Sequence, residues 1–301
     1  MGYGSWKAED YVSYANSTGR STSTVYATNA TTGVTSSHTV LTSSYGAQDL
    51  FVAESIDPKL DPRNVMRECN DSDEHPNTIP VVLALDVTGS MGSAAAEVAK
   101  RLNVVMSQLY ENVTDVECLV MGIGDLAYDS APIQISQFEA DIRVAEWLDK
   151  VYFEGGGGGN QYESYTAAWY MGIHHMMLDS WKRGKKGIII TIGDEPLNPY
   201  LPKEALSRIT GDSMQADMET EELYNKAKEK FDIYHLAVDD KATQYYWYKK
   251  DIQITWGKYL DEDHLRVVNL DNLIPQIVDI VTKASANNDM EFAHTGGEIA
   301  W

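Results

Sequence analysis

After a run of apolar residues the chain reads Asp86-Val87-Thr88-Gly89-Ser90-Met91-Gly92, which sets one carboxylate and two hydroxyls at alternate positions. Alternate residues of extended backbone point to one side, and the two glycines let the segment bend sharply. Oxygen donors of this kind suit a hard cation such as Mg²⁺, which takes octahedral oxygen ligands at about 2.0–2.1 Å and keeps some waters. The same residue types are preferred N-caps. Taken alone, the segment fits a metal loop, with a helix cap as the plain alternative.

Two further segments carry oxygen donors. Residues 155–159 are five glycines, followed by Asn160, Glu163, Ser164 and Thr166. No Lys-Ser or Lys-Thr follows, so the phosphate-cradling pattern fails, and the spacing is not that of a dinucleotide loop. A bare linker is the plain alternative. The third segment, Thr191-Ile192-Gly193-Asp194-Glu195-Pro196, puts an acidic residue directly after the most apolar run of the chain. Its plain alternative is a turn.

The elements that must position these segments alternate. Residues 79–86, 116–124, 133–138, 187–193, 233–238 and 265–270 are short and apolar, as strands buried on both faces are. Helical spacing covers 93–110, 138–152, 162–181, 218–231 and 271–286. Alternation of this kind predicts a mostly parallel sheet covered on both faces. Ligands bind such sheets beyond the carboxyl ends of the strands, at a topological switch point. All three oxygen-rich segments fall at strand ends or just before helices.

The order Asp-x-Thr-x-Ser, glycine-rich loop, Asp after the central strand resembles the von Willebrand factor A family. More narrowly, it resembles the bacterial and phage branch that carries DVTGSMG and IGDEP-type motifs. The match spans about residues 78–286. It implies an α/β fold: a doubly wound, Rossmann-like, mostly parallel sheet of about six strands with one antiparallel edge strand. It also implies a metal-ion-dependent adhesion site, with Asp86, Thr88 and Ser90 as first-loop ligands and Asp194 from the third loop. The second loop departs from the family pattern, where many members have Thr and others Asp. Asn160 holds the matching place, with Glu163 and Thr166 as fallbacks. The implied cofactor is Mg²⁺, with Mn²⁺ or Ca²⁺ as substitutes. The implied role is a protein–protein interaction module that captures an Asp or Glu of a partner, such as an AAA+ ATPase or an assembly component. The alternative is a structural or assembly protein of a phage particle or similar complex, with the N-terminal region mediating packing.

Bulk properties narrow the classes. A formal charge of −21 excludes direct nucleic-acid binding, which needs clustered Lys and Arg, and draws cations to any carboxylate-lined pocket. No apolar run reaches membrane-spanning length, and the opening MGYGSWKAED has no secretory pattern, so a cytoplasmic protein is expected. Cys69 and Cys118 lack zinc or disulfide spacing and are read as buried thiols. Residues 1–77 form an N-terminal extension in which 14 of the 25 residues from Ser21 to Tyr45 are Ser or Thr. That stretch fits either a flexible arm or strands. Residues 287–301 are a tail without periodicity. His174 and His175 point about 100° apart on a helix and do not chelate one ion. Helical packing accounts for Tyr245, Tyr246, Trp247 and Tyr248, a turn for Asp125 and Asp129, and a solvated loop for the basic run 182–186. No nucleophile elbow or Cys–His pair is present, so no enzyme is expected. A metal-dependent hydrolase would need a base, and Glu163 and Glu195 are its nominees.

Overall fold

The computed structural model describes residues 4–29, 31–154 and 162–294. In chain order the N-terminal part holds α1 (Ala8–Ser17), the antiparallel strands β1 (Thr22–Thr28) and β2 (Thr35–Leu41), α2 (Ala47–Leu50) and β3 (Arg67–Cys69). The Ser/Thr-rich stretch is thus a hairpin, lying on the long helix described next. Asn103 of that helix joins the layers: it accepts from Trp6 Nε1 at 2.9 Å and donates to the Thr39 carbonyl at 2.7 Å.

The remainder runs β4 (Ile79–Asp86), α3 (Gly92–Asn112), β5 (Val116–Ile123), β6 (Ile133–Glu139), α4 (Arg143–Leu148), α5 (Thr166–His174), β7 (Met176–Leu178), α6 (Asp179–Lys182) and β8 (Gly187–Gly193). It continues with β9 (Tyr200–Leu201), α7 (Lys203–Thr210), β10 (Met218–Glu219), α8 (Thr220–Ala227), β11 (Phe231–Val238), α9 (Tyr245–Trp256), β12 (Leu265–Val268) and α10 (Leu270–His294). Six strands form the central sheet in the order β12-β11-β8-β4-β5-β6; β6 is antiparallel to β5 and every other pair is parallel. This is the doubly wound α/β architecture expected from the sequence, with its antiparallel strand at the edge. The chain reverses its direction of growth between β4 and β8, so the switch point lies where those two strands end.

Alternation along β4 divides the core. Val81, Leu83 and Leu85 pack with α3 and α10, whereas Val82 and Ala84 pack on the side of α5, α8 and α9. Ile188, Ile189, Ile190 and Ile192 of β8 are fully buried, each contributing about 1.5–3 kcal/mol relative to exposure. The two free cysteines are buried. No helix among the described residues is long and apolar enough to cross a membrane.

Three local expectations are corrected. The single helix over 162–181 ends at His174, because residues 176–178 pair with β3 and the His175 ring is held by the Val65 carbonyl and Asp212. Over 138–152 only Arg143–Leu148 is helical, since β6 runs on to Glu139. Nor is the basic run wholly solvated: Arg183 pairs with Asp71 and donates to the Thr78 carbonyl at 2.6 Å, fixing the approach to β4.

Candidate functional site at the ends of β4 and β8

Asp86 is the last residue of β4 and is fully buried. Its Oδ1 accepts from both the Thr88 amide (2.9 Å) and the Thr88 hydroxyl (2.6 Å), which fixes the turn. Its Oδ2 accepts from the Tyr165 hydroxyl at 2.7 Å. After Thr88 the backbone makes a short 3-10 turn over Gly89–Met91 and enters α3, leaving Ser90 half-buried at the rim. Asp194 follows β8 directly, and the register that pairs Leu85 with Ile192 puts Asp86 and Asp194 on neighbouring strand ends. Asp194 Oδ2 accepts from the Gln244 amide at 2.5 Å, at the start of α9. Its other oxygen, Oδ1, is buried with no hydrogen-bond partner.

The described residues on either side of 155–161 reach the same place. Glu154 donates its amide to the Val87 carbonyl, and Ser164 holds the loop after β5 through the Gly124 carbonyl and the Leu126 amide. Asp129 Oδ2 accepts from the Asp125 amide at 2.7 Å, and Asp125 Oδ1 from the Ala127 amide at 2.8 Å. Those two residues therefore fix a turn, while their charges face the site. Beneath lies an aromatic floor: His235 stacks on Trp256 at 3.8 Å and meets Tyr165 edge-on at 5.2 Å. Burial pulls the His235 pKa down to about 3, so it lends the site no positive charge.

Buried carboxyls accumulate here, and each disfavours the ionised form of the others. Burial, and then the Asp194 charge, raise Asp86 to about 7. Burial also raises Asp194, while the Gln244 amide and the nearby Ser90 hydroxyl draw it back down. Glu163 is pushed up to about 12 and Glu195 to about 8, in each case by burial first and then by Asp86. Burial lifts Asp129 to about 6. A carboxyl whose folded pKa is raised holds more protons folded than unfolded, so its folded state loses stability as pH rises above the unfolded value near 4. Carboxyls with lowered values, such as Asp212 and Asp279, act below that window; His235 acts in the opposite sense up to its unfolded value near 6.5, where the raised carboxyls together outweigh it. In EDTA, the melting temperature is therefore expected to fall between pH 5.5 and pH 8. A flat or rising profile across that range would refute the charge assignment.

Neither a family model nor a curated protein matches the sequence. Among solved structures the chain is similar to the open conformation of the pilus adhesin SpaC from Lactobacillus rhamnosus GG, with 13% identity over 75% of this chain and a TM-score of 0.47. It spans 31% of that adhesin's length. It is also similar to the vWF domain of the type V pili tip protein Mfa5 from Porphyromonas gingivalis (12% identity, 70% of this chain, 96% of that one, TM-score 0.38). A third likeness is to the conserved hypothetical protein BatB from Bacteroides thetaiotaomicron (13% identity, 70% of this chain, 99% of that one, TM-score 0.42). The fold itself rests on the strand order and register given above.

Of the residues singled out in the sequence, Asp86, Thr88, Ser90 and Asp194 come together at the switch point. Asn160 and the five glycines lie outside the described residues. Of the two fallbacks, Glu163 is buried, and after burial the Asp86 charge does most to raise its pKa. Thr166 Oγ1 accepts from Asn198 Nδ2 at 2.6 Å. Among the described residues no three His, Cys, Asp or Glu side chains form a metal cluster; the candidate set is two carboxylates with hydroxyls. Sequence reasoning missed Tyr165, which reaches Asp86 across 79 residues, and the Gln244 amide. The signal for Tyr165 was Gly193: a Cβ there would overlap the tyrosine's Oη, Cζ and Cε1.

Proposed function

We propose that this strand-end site binds Mg²⁺ through Asp86, Thr88, Ser90 and Asp194, with one further ligand from the 160–163 segment, and serves as a protein-interaction module rather than an enzyme. One observation carries the reading. Asp194 Oδ1 is buried with no hydrogen-bond partner, beside a second buried carboxylate and two hydroxyls. Such a group costs free energy unless a counter-charge meets it, and a hard cation takes this donor type. Bound there, Mg²⁺ supplies a Lewis-acidic position for a carboxylate from a partner protein. Asp86 orients Thr88, Gln244 orients Asp194, and Tyr165 keeps the second oxygen of Asp86 from turning.

Titration calorimetry with Mg²⁺ tests the site. Asp194→Asn is expected to weaken binding at least about a hundredfold, the upper end of what a merely supporting residue does. The variant should melt no lower than the parent in EDTA at pH 8, because one of two repelling charges is gone. Equal Mg²⁺ affinity in both chains would overturn the assignment. An immobilised peptide bearing a single Glu should retain the parent chain in Mg²⁺ and release it in EDTA; retention in both would remove the metal from the interaction.

A further inference from the structure

A second feature stands on the same edge of the sheet and is independent of the metal. Where β11 and β12 end, a cleft of about 670 Å³ opens, lined by Asp239, Asp240, Lys241, Tyr246, Trp247 and Val267, among others. Helical packing accounts for Tyr245, which is 2% exposed, but not for the next two residues: Tyr246 is 78% exposed and Trp247 74%. Their rings meet edge to face at 5.3 Å and 85°, an arrangement aromatic pairs favour. Adjacent, outward-facing aromatic rings beside a cleft are what interaction sites show and what isolated surfaces rarely do.

The charges select the occupant. Asp239 and Asp240 follow β11 at the mouth of the cleft. Asp240 is partly committed to its own turn, its Oδ1 accepting from the Ala242 amide at 3.1 Å. Asp239 is exposed. Lys241 offsets one of the two negative charges, and the net charge of −21 biases approach towards cations. Aromatic faces attract cations, most often guanidinium, and a guanidinium can stack on a ring while donating to a carboxylate in its own plane. An ammonium is a more strongly hydrated point charge without that planar match.

We infer that the Asp239–Trp247 cleft is a docking site for an arginine side chain on a partner protein, held between the exposed aromatic pair and the Asp239 and Asp240 carboxylates. The Gln244 amide that holds Asp194 lies in the same segment, so the arginine pocket and the candidate metal site share the chain between Asp239 and Trp247. A partner engaging both would present an acidic and a basic residue on one surface.

The probe is the peptide acetyl-Gly-Arg-Gly-amide, titrated into the full chain in EDTA and followed by the Trp247 indole N–H resonance, which is identified by its absence in Trp247→Ala. Because the assay excludes metal, its outcome is separate from that of the Mg²⁺ site. The arginine peptide is expected to bind about five- to tenfold more tightly than its Gln and Leu counterparts, and Asp239→Asn to weaken it about fivefold. For Trp247→Ala, read by the Asp240 amide resonance, about tenfold weakening is expected. Both substituted side chains are exposed, so the fold is kept. Equal binding of the Leu or Gln peptide, or affinity unchanged by both substitutions, would overturn the proposal.

Discussion

Asp86→Ala is expected to lose about 2–4 kcal/mol of folding stability at pH 6 in EDTA, whereas Asp86→Asn loses little, although both lose Mg²⁺. Alanine leaves three donors without an acceptor: the Thr88 amide, the Thr88 hydroxyl and the Tyr165 hydroxyl. Thr88 and Tyr165 are buried, and an unsatisfied buried donor costs about 1–3 kcal/mol, less whatever the two rotatable hydroxyls recover. Asparagine keeps a carbonyl oxygen for Thr88, and Tyr165 can rotate its hydroxyl to accept from the new amide. The pH matters. With a pKa of about 7, Asp86 is mostly neutral at pH 6, so the comparison reads hydrogen bonds rather than charge. Urea melts give the stabilities and calorimetry the metal affinity. Equal stability of the two variants would mean that Asp86 does not anchor the turn; retained Mg²⁺ affinity in Asp86→Asn would mean that its charge is not needed.

This sharpens what the sequence alone implied. The Asp86-x-Thr88-x-Ser90 spacing fitted a cap or a metal loop, and the structure gives the aspartate an anchoring role towards Thr88 whichever ligand is present. What was legible was local and periodic. Strands β4 and β8 fall at the residues expected, because a strand buried on both faces is a continuous apolar run bounded by polar residues or glycine. The place where α5 stops was not legible. Residues 166–172 are buried all round, so no stripe existed to show where helical spacing failed, and the pairing of residues 176–178 with β3 depends on a segment about a hundred residues earlier. The hairpin at 22–41 was ambiguous for a related reason. Apart from Tyr26 its outward residues are Ser and Thr, which strands and flexible arms share, and its buried Val40 and Leu41 gain meaning only against α3. Tyr246 and Trp247 show the converse failure: helical position fixed neither whether a ring faces in nor whether anything covers it.

The largest loss is expected from a residue that contributes no side chain. Gly193 ends β8 and precedes Asp194, and its backbone is not in the left-handed region, so an alanine meets no torsional penalty there. What it meets is Tyr165. A Cβ would overlap the hydroxyl oxygen and two ring carbons of that side chain, and the ring is fully buried between Trp256 and His235 with little room to retreat. Overpacking of this kind costs about 1–3 kcal/mol, and displacing the tyrosine also breaks its bond to Asp86, worth about 1–3 kcal/mol where the acceptor is buried. Gly193→Ala is therefore expected to destabilise by about 3–5 kcal/mol and to weaken Mg²⁺ binding together with the fold. A double-mutant cycle isolates the cause. Tyr165→Ala alone leaves a cavity costing about 3–5 kcal/mol. If the clash with Tyr165 is the whole effect, adding Gly193→Ala changes stability by less than about 0.5 kcal/mol further. Additive losses would show that Gly193 is required for some other reason, and that the tyrosine reaches Asp86 without needing the glycine beside it.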